Sequence, residues 1–367
     1  MGKCKNCGSE SEFISDTVGI CLECIRKDFS NIREYINNVH SSSRKAFNLP
    51  EKIPDTDQGK KCKICGNQCS IGEGEKGYCG LRFNKDGKIV HIGGTKEKAF
   101  VDWYYDPLPT NCVADWVCPE GAGEYDNKNR ILRRYYSEFN NLAVFYEACT
   151  FNCLFCQNWH FRNCSFEGKY KTAEELANAV NENVRCICYF GGDPTPQIMH
   201  AIAASELVIR KTSRRTLRIC WETNGSMNFT ILKKITDISI RTGGCVKFDL
   251  KTFDEKLNYA LCGVSNSTTL SNFTWLAEKT KEIKDYPLAV ASTLLVPGYI
   301  DEDEIFKIAS FISSINNKIP YSLLGFYPQF YLSDLPVTSR SFAYRCKEIA
   351  KKAGLKRVKI GNLHLLK

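Results

Sequence analysis

The sequence predicts an α/β protein: a partial (β/α)6 TIM-like barrel preceded by a small cysteine-rich metal-binding domain. Three observations carry this expectation. From Asn141 onward, short apolar runs alternate six times with amphipathic stretches, the pattern of parallel strands joined by right-handed helical crossovers. Five successive runs carry polar or glycine-rich groups at the same end, as a barrel with its chemistry at the C-terminal ends of its strands requires. Before residue 80 there are eight cysteines, six of them in C-x-x-C pairs, in segments too short to build a hydrophobic core.

The length of 367 residues exceeds one ordinary domain, which fits a barrel plus smaller modules. The expected divisions are a ribbon and helix over 1–40, a linker over 41–61, a second cysteine-rich module and connector over 62–135, and the barrel over 136–367. An apolar share of 43% suffices for a sizeable core. No run of eighteen apolar residues occurs, and Met1-Gly-Lys-Cys does not open a signal peptide, so no membrane partner and a cytoplasmic location are expected. In that reducing compartment twenty cysteines point to metals rather than disulfides. The formal charge of +9 invites a nucleic-acid reading. Two four-thiolate zinc sites and one three-thiolate cluster would lower it to roughly +4, an ordinary excess. The densest basic patch, Lys351, Lys352, Lys356, Arg357 and Lys359, reads as a solvated helix-to-strand face.

In chain order, Cys4-Lys-Asn-Cys7 and Cys21-Leu-Glu-Cys24 form two knuckles with thirteen residues between them, a zinc-ribbon pattern. A redox dithiol is the rival reading, but a lone redox pair would not be duplicated at this spacing. Ile25, Phe29, Ile32, Ile36 and Val39 recur at helical spacing and extend the ribbon into a helix. The second module, Cys62, Cys65, Cys69 and Cys79 among closely spaced glycines, wraps a metal. Zinc and an auxiliary iron–sulfur cluster both satisfy the spacing. Lys88 to Ile92 is a short strand, with His91 half-buried in it. Asp102 to Cys118 is dense in aromatics and prolines, the composition of a buried connector. In a sharper reading Tyr104, Tyr105, Cys112 or Cys118 line the reaction chamber as radical relays or ligands.

The expected barrel strands are Leu142 to Glu147, Cys186 to Phe190, Leu217 to Glu222, Cys245 to Leu250, Ala289 to Val296 and Tyr321 to Phe326. Between them lie amphipathic segments such as Thr172 to Asn183, Met199 to Arg210, Asn228 to Arg241, Ser271 to Lys281 and Glu302 to Ser314. Strand one is followed by Cys149-Thr-Phe-Asn-Cys153-Leu-Phe-Cys156. Three thiolates on one tight loop hold three corners of a [4Fe–4S] cube and leave the fourth iron open to a small molecule. Unligated buried cysteines, or a zinc site completed by Cys164, are the plainer alternatives. Gly191-Gly-Asp-Pro194, Glu222-Thr-Asn-Gly225, Lys247-Phe-Asp-Leu-Lys251 and Val296-Pro-Gly298 follow the next strands. Together they describe one pocket for a ligand with an amine, a carboxylate, a ribose and a flat ring.

The C-x3-C-x2-C loop with Phe155 before its last cysteine resembles the signature of the radical S-adenosylmethionine (SAM) superfamily. The region from Cys62 to Leu366 is similar to the members related to pyruvate formate-lyase activating enzyme. Gly191-Gly-Asp-Pro resembles their GGEP motif, with Asp193 for Glu, Glu222-Thr-Asn-Gly their DTNG, and Asp249-Leu-Lys251 their DLK. A subgroup of activase-like proteins is closer still, on Cys62-x2-Cys65-x3-Cys69, Cys79-Gly-Leu-Arg82, Cys156-Gln-Asn-Trp159 and Tyr327 to Pro336. The ribbon lies outside the resemblance.

The resemblance implies an oxidoreductase in which a [4Fe–4S] cluster on Cys149, Cys153 and Cys156 reductively cleaves SAM. The 5′-deoxyadenosyl radical so formed abstracts hydrogen from a substrate. Gly191, Gly192 and Asp193 are expected at the methionyl amine, Asn224, Asp249 and Lys251 at the carboxylate and ribose, and Phe155 and Asn158 beside the adenine. His160 is expected at the cluster edge or in packing. An electron donor such as ferredoxin or flavodoxin is implied. The expected target is a protein or peptide, as for glycyl-radical activases. The alternative is radical modification of RNA or another nucleic acid presented by the N-terminal zinc module. A non-enzymatic scaffold would not need the intact cluster loop and pocket elements.

Overall fold

The structure is a computed structural model describing residues 1–108, 110, 112–120, 138–163, 170–212, 217–283 and 285–367. Cys164 and residues 121–135 of the expected connector lie outside the described residues.

At the N-terminus β1 (Gly2–Lys3) and β2 (Glu10–Ser11) pair antiparallel and place the two cysteine knuckles side by side. The predicted amphipathic helix is two helices, Leu22–Lys27 and Phe29–Lys45, separated at Asp28. Asp28 accepts from the Asn6 and Asn31 side chains, which draws the chain out of helical geometry there. Ile25, Ile32 and Ile36 are buried as their spacing requires. This region is built into the rest of the molecule. Arg26 donates to both oxygens of Asp301 and reaches the fully buried Glu304. The Ser15 hydroxyl and the Asp16 amide donate to Asp334.

Two short hairpins follow, β3 (Lys60–Lys61) with β4 (Ser70–Ile71) and β5 (Arg82–Lys85) with β6 (Lys88–His91). His91 is exposed at the end of β6 rather than half-buried. The main sheet has eight strands in the order β14-β13-β12-β11-β10-β9-β8-β7. They are β7 (Val101–Pro107), β8 (Asn140–Tyr146), β9 (Val184–Gly191), β10 (Arg218–Thr223), β11 (Val246–Asp249), β12 (Ala289–Leu295), β13 (Tyr321–Gly325) and β14 (Val358–Gly361). From β8 to β14 every neighbouring pair is parallel; β7 alone runs antiparallel, on β8.

The six expected strands are therefore β8 to β13, and the sheet continues past them on both sides. β7 carries two aspartates and ends in Pro107, a composition that reads as loop but suits an edge strand whose outer groups meet solvent. β14 is four residues long and half-buried, too short for a periodic signal. The predicted helices appear as Ala173–Asn178, Ile198–Lys211, Phe229–Thr242, Ser267–Lys279 and Glu302–Asn316, joined by Glu255–Cys262 and Arg340–Lys352.

The concave side of the sheet is filled from below by residues 112–120. Ala114 and Val117, with Cys112 and Trp116, pack against Cys188, Cys220, Cys245 and Val290. Trp116 donates to the Ser322 hydroxyl, and Asp115 and Glu120 pair with Lys359 and Arg218. That plug covers one side of the sheet, away from the polar groups at the C-terminal ends of the strands.

Candidate active site

The three cysteines of the loop after β8 line a cavity that opens to solvent. Its walls include Cys149, Cys153, Cys156, Phe155, Asn158, Gly191, Gly192, Asp193, Asn224, Asp249 and Lys251. Apart from His160, every residue expected at the cluster and at SAM thus lines one chamber. Its polar groups come from the ends of β9, β10 and β11.

The loop is held from behind. The Asn152 and Leu154 amides donate to the Cys262 and Leu261 carbonyls, and the Tyr331 amide donates to the Leu154 carbonyl. Asn152 donates from its side chain to His40 Nδ1 (2.8 Å) and Ser43 Oγ (2.8 Å) and accepts from Arg162. His40 gives its other ring N–H to the Ala260 carbonyl at 3.0 Å, which fixes that tautomer. Burial first, then the nearby Arg44 charge, pushes His40 down to about 4, so its ring is neutral.

Burial raises the Cys149 thiol well above its ordinary value and takes Cys156 up to about 11. Cys153 is raised first by its sulfur contact with Cys262, 3.5 Å away, and then by burial. Such thiols keep their protons until a metal displaces them, so metal uptake releases protons. The donor set, three sulfurs on one loop facing an open chamber, fits a [4Fe–4S] cluster with one iron free for a ligand. Cys262 escaped the sequence reading because a lone cysteine in Leu-Cys-Gly carries no spacing signal.

Gly191 has φ +118°, and a Cβ there would lie 2.4 Å from the Tyr146 backbone; at Gly192 one would lie 2.2 Å from the Ala148 carbonyl oxygen. Both positions therefore require glycine, and the turn brings backbone to the chamber edge. Asp193 is buried, and its carboxylate accepts from Thr223 Oγ1 (2.6 Å), the Asn224 amide (3.1 Å) and the Thr195 amide (3.1 Å). Burial raises Asp193 above the usual carboxylate range, and the bonds from Thr195 and Thr223 offset only part of that. Asn224 donates to Thr150 Oγ1 at 2.8 Å and approaches Cys149 Sγ at 3.8 Å. Asp249 takes Lys251 Nζ at 2.8 Å and Ser292 Oγ at 2.6 Å. Burial opposes the Lys251 charge, but Asp249 outweighs it and the ammonium is stabilised.

The two downstream hallmark segments meet at the rim. Trp159 stacks on Phe330 with centroids 5.5 Å apart, and Gln329 donates to the Gln157 carbonyl. His160 stacks on Trp159 at 4.0 Å and is not among the chamber walls. Tyr104 and Tyr105 are exposed on the edge strand and do not line the chamber either. Cys112 lies in the plug, 3.0 Å from Lys247 Nζ, and Cys118 lines a small cavity with Cys220 and Cys245.

At the N-terminus the sulfurs of Cys4, Cys7, Cys21 and Cys24 all lie within 4.8 Å of one another, with Cys7 and Cys21 at 3.8 Å. A tetrahedral ion with ~2.3 Å metal–sulfur bonds spaces its sulfurs by about 3.8 Å, so the group fits a metal.

Residues 143–312 match the family profile described as the radical SAM superfamily. An uncharacterised protein of Methanocaldococcus jannaschii is 26% identical over 320 residues, covering 85% of this chain and 84% of that protein. The pyruvate formate-lyase 1-activating enzyme of Escherichia coli is 26% identical over 194 residues, 50% of this chain and 74% of the enzyme. The solved structure of Streptococcus suis SuiB bound to precursor peptide SuiA is 18% identical over 59% of this chain and 47% of that chain, with a TM-score of 0.45. The segment that matches the radical SAM superfamily is thus the one whose cysteine loop, glycine turn and strand-end polar groups gather in one chamber, and pyruvate formate-lyase-activating enzymes are among the proteins the chain is similar to.

Proposed function

We propose that the chain is a radical SAM enzyme acting on a protein or peptide, in the manner of the glycyl-radical activases it resembles. The observation that carries this reading is the chamber, in which three loop thiols face Gly191, Gly192, Asp193, Asn224, Asp249 and Lys251. A bound [4Fe–4S] cluster and SAM supply a 5′-deoxyadenosyl radical by one-electron cleavage of the sulfonium.

The chain's own residues bind, orient and exclude water. Cys149, Cys153 and Cys156 hold the cluster. The Gly191–Gly192 edge offers backbone carbonyls to the methionyl amine. Asp193 fixes the turns that bear that edge and Asn224, and it holds the amine through them rather than with a free carboxylate. Lys251, paired with Asp249, faces the carboxylate and ribose, while Phe155 and Asn158 flank the adenine. Zinc is proposed for Cys4, Cys7, Cys21 and Cys24, a cytosolic low-potential donor such as ferredoxin or flavodoxin for the electron, and the divisions at residues 40, 61 and 135 for the domains. The N-terminal ribbon is docked through Arg26 and Ser15, which suits a structural part better than a substrate-presenting arm.

The test is anaerobic reconstitution with iron and sulfide, reduction with dithionite, addition of SAM and assay of 5′-deoxyadenosine beside Cys156→Ala. Formation that vanishes in the variant supports the reading, and a protein that assembles no cluster on this loop sinks it. Fractionated cell protein that accelerates formation identifies the target; acceleration by RNA, with steep salt dependence, would replace the protein substrate by nucleic acid.

A further inference from the structure

A second group of four sulfurs stands beside the SAM chamber. Cys62 and Cys69 close the β3–β4 hairpin, the Cys62 amide donating to the Cys69 carbonyl at 2.8 Å. Cys65 sits on the turn between them, which the Gly66 and Asn228 amides tie to the segment after β10 through the Ser226 and Ile64 carbonyls. Cys79 precedes β5, and the Tyr78 amide beside it points at Cys69 Sγ, 3.5 Å away. The hairpin and the Tyr78 contact thus gather the four cysteines into one group.

Yet no three of these sulfurs lie within 4.8 Å of one another, whereas the four at the N-terminus all do. A single tetrahedral zinc draws its sulfurs to about 3.8 Å. A cube places each thiolate on a different iron and needs the wider spacing.

The charges agree. Arg44, Arg82 and Arg162 are all buried, at 1%, 1% and 4% exposure, and none has a carboxylate partner among the described residues. Arg82 points at Cys79 Sγ at 3.5 Å and donates to the Pro196 carbonyl; Arg44 donates to the Pro50 and Tyr78 carbonyls and lies over the Tyr78 ring. The Nε donors of Arg82 and Arg162 are buried without any acceptor. Three buried cations need a buried anion, which a four-thiolate metal site supplies, and the sulfur spacing then favours the cluster over zinc. Arg44 and Arg162 line one small cavity, and its other walls include Cys79 and Cys149, one cysteine from each site.

We propose that Cys62, Cys65, Cys69 and Cys79 hold a [4Fe–4S] cluster that passes electrons to the cluster of the Cys149 loop. The inference rests on reading that loop as the SAM-cluster site. One electron from a low-potential one-electron donor takes the four-cysteine cluster from the 2+ to the 1+ state. The same electron then crosses the arginine-lined cavity, returning this cluster to 2+ and reducing the loop cluster to 1+. No bond forms or breaks and no proton moves. The arginines stabilise the reduced, more negative state during the passage.

The test uses the full chain, reconstituted anaerobically, with iron, sulfide and zinc analysis and EPR after reduction. The wild type is expected to hold about eight irons, two cubes' worth. Cys65→Ser/Cys69→Ser should lose half of that iron and keep the EPR signal that SAM perturbs. A Cys149→Ala/Cys153→Ala/Cys156→Ala variant should lose the other half and keep a signal blind to SAM. Photoreduced flavodoxin should reduce the SAM-responsive cluster at least tenfold more slowly in the Cys65/Cys69 variant. Arg82→Gln, which removes no ligand, should lower the midpoint potential of the SAM-blind signal and leave the other signal unchanged. A triple variant with no iron, or a Cys65/Cys69 variant that loses zinc instead of iron, overturns the proposal; equal flavodoxin rates overturn the relay. Loss of the SAM-responsive signal from an otherwise iron-loaded wild type would instead overturn the reading of the loop.

Discussion

Glu222 and Lys247, register partners on β10 and β11, form an ion pair of 3.2 Å across the floor of the chamber. Glu222 looks up into the cavity, while Lys247 is buried among sulfurs, 3.0 Å from Cys112 and 2.8 Å from Cys188. Burial opposes the lysine's charge, but the thiols and Glu222 more than restore it. Lys247→Met should destabilise the protein by ~2–3 kcal/mol, the lower side of a broken buried pair because Glu222 is partly solvated. Adding Glu222→Gln should recover most of the loss. Anaerobic urea denaturation checks both, and equal destabilisation in the single and double variants would show that the pair itself does not matter.

Cys262 supplies the hydrogen-bond partner of Cys153 Sγ. Once Cys153 binds iron as a thiolate, only the Cys262 thiol can donate in that contact. Such a donor makes reduction of a cluster easier. Cys262→Ala should therefore assemble the cluster and shift its midpoint potential to a more negative value in an EPR-monitored redox titration. An unchanged potential would assign the contact to packing.

The Asp193 carboxylate gathers a hydroxyl and two amides from three neighbouring residues. Asp193→Ala strands those donors, a cost of ~1–3 kcal/mol. SAM affinity, measured by calorimetric titration, should fall about tenfold or more as the turns relax. Asp193→Asn, which keeps one acceptor oxygen, should lose less. Undiminished affinity in the alanine variant would remove Asp193 from SAM binding.

His40 gives a pH dependence with a definite sign. Its folded pKa of about 4 lies below the unfolded value, so the native state takes up its proton later than the unfolded chain. The associated stability is fully present above pH ~6.5 and is lost as pH falls toward 4, reaching about 2 kcal/mol by pH 5. The charged groups that act on the ring, Arg44 and Arg162, both lower its pKa, against the Ala260 and Tyr259 backbone bonds that raise it. His40→Gln should flatten the fall in denaturation midpoint between pH 7 and pH 5; an equally steep fall would place the titration elsewhere.

The barrel strands β8 to β13 were legible because each is an apolar run bounded by turn residues, and the chamber because its glycines and charges recur at the strand ends. β7 was not, since Asp102, Asp106 and Pro107 are residues that an edge tolerates and an interior strand does not. Nor were the relationships that depend on chain crossing. Arg44 carries no signal in Ser-Ser-Ser-Arg, and only the fold brings it against Tyr78. Cys186, Cys188, Cys220 and Cys245 read as ordinary strand residues until the parallel register aligns them on one face over the plug.

The helix Phe29–Lys45 begins beside the N-terminal ribbon and ends with His40 and Ser43 gripping Asn152, one residue before Cys153. It is a strut between the ribbon cysteines and the Cys149 loop, the two places where metals are proposed. On the assignments proposed above, maturation would be ordered: a ribbon that has not closed would leave the strut unseated and the Cys149 loop unsupported at the moment iron is delivered. A chelator that strips only the ribbon would therefore shorten the working life of a cluster it never touches.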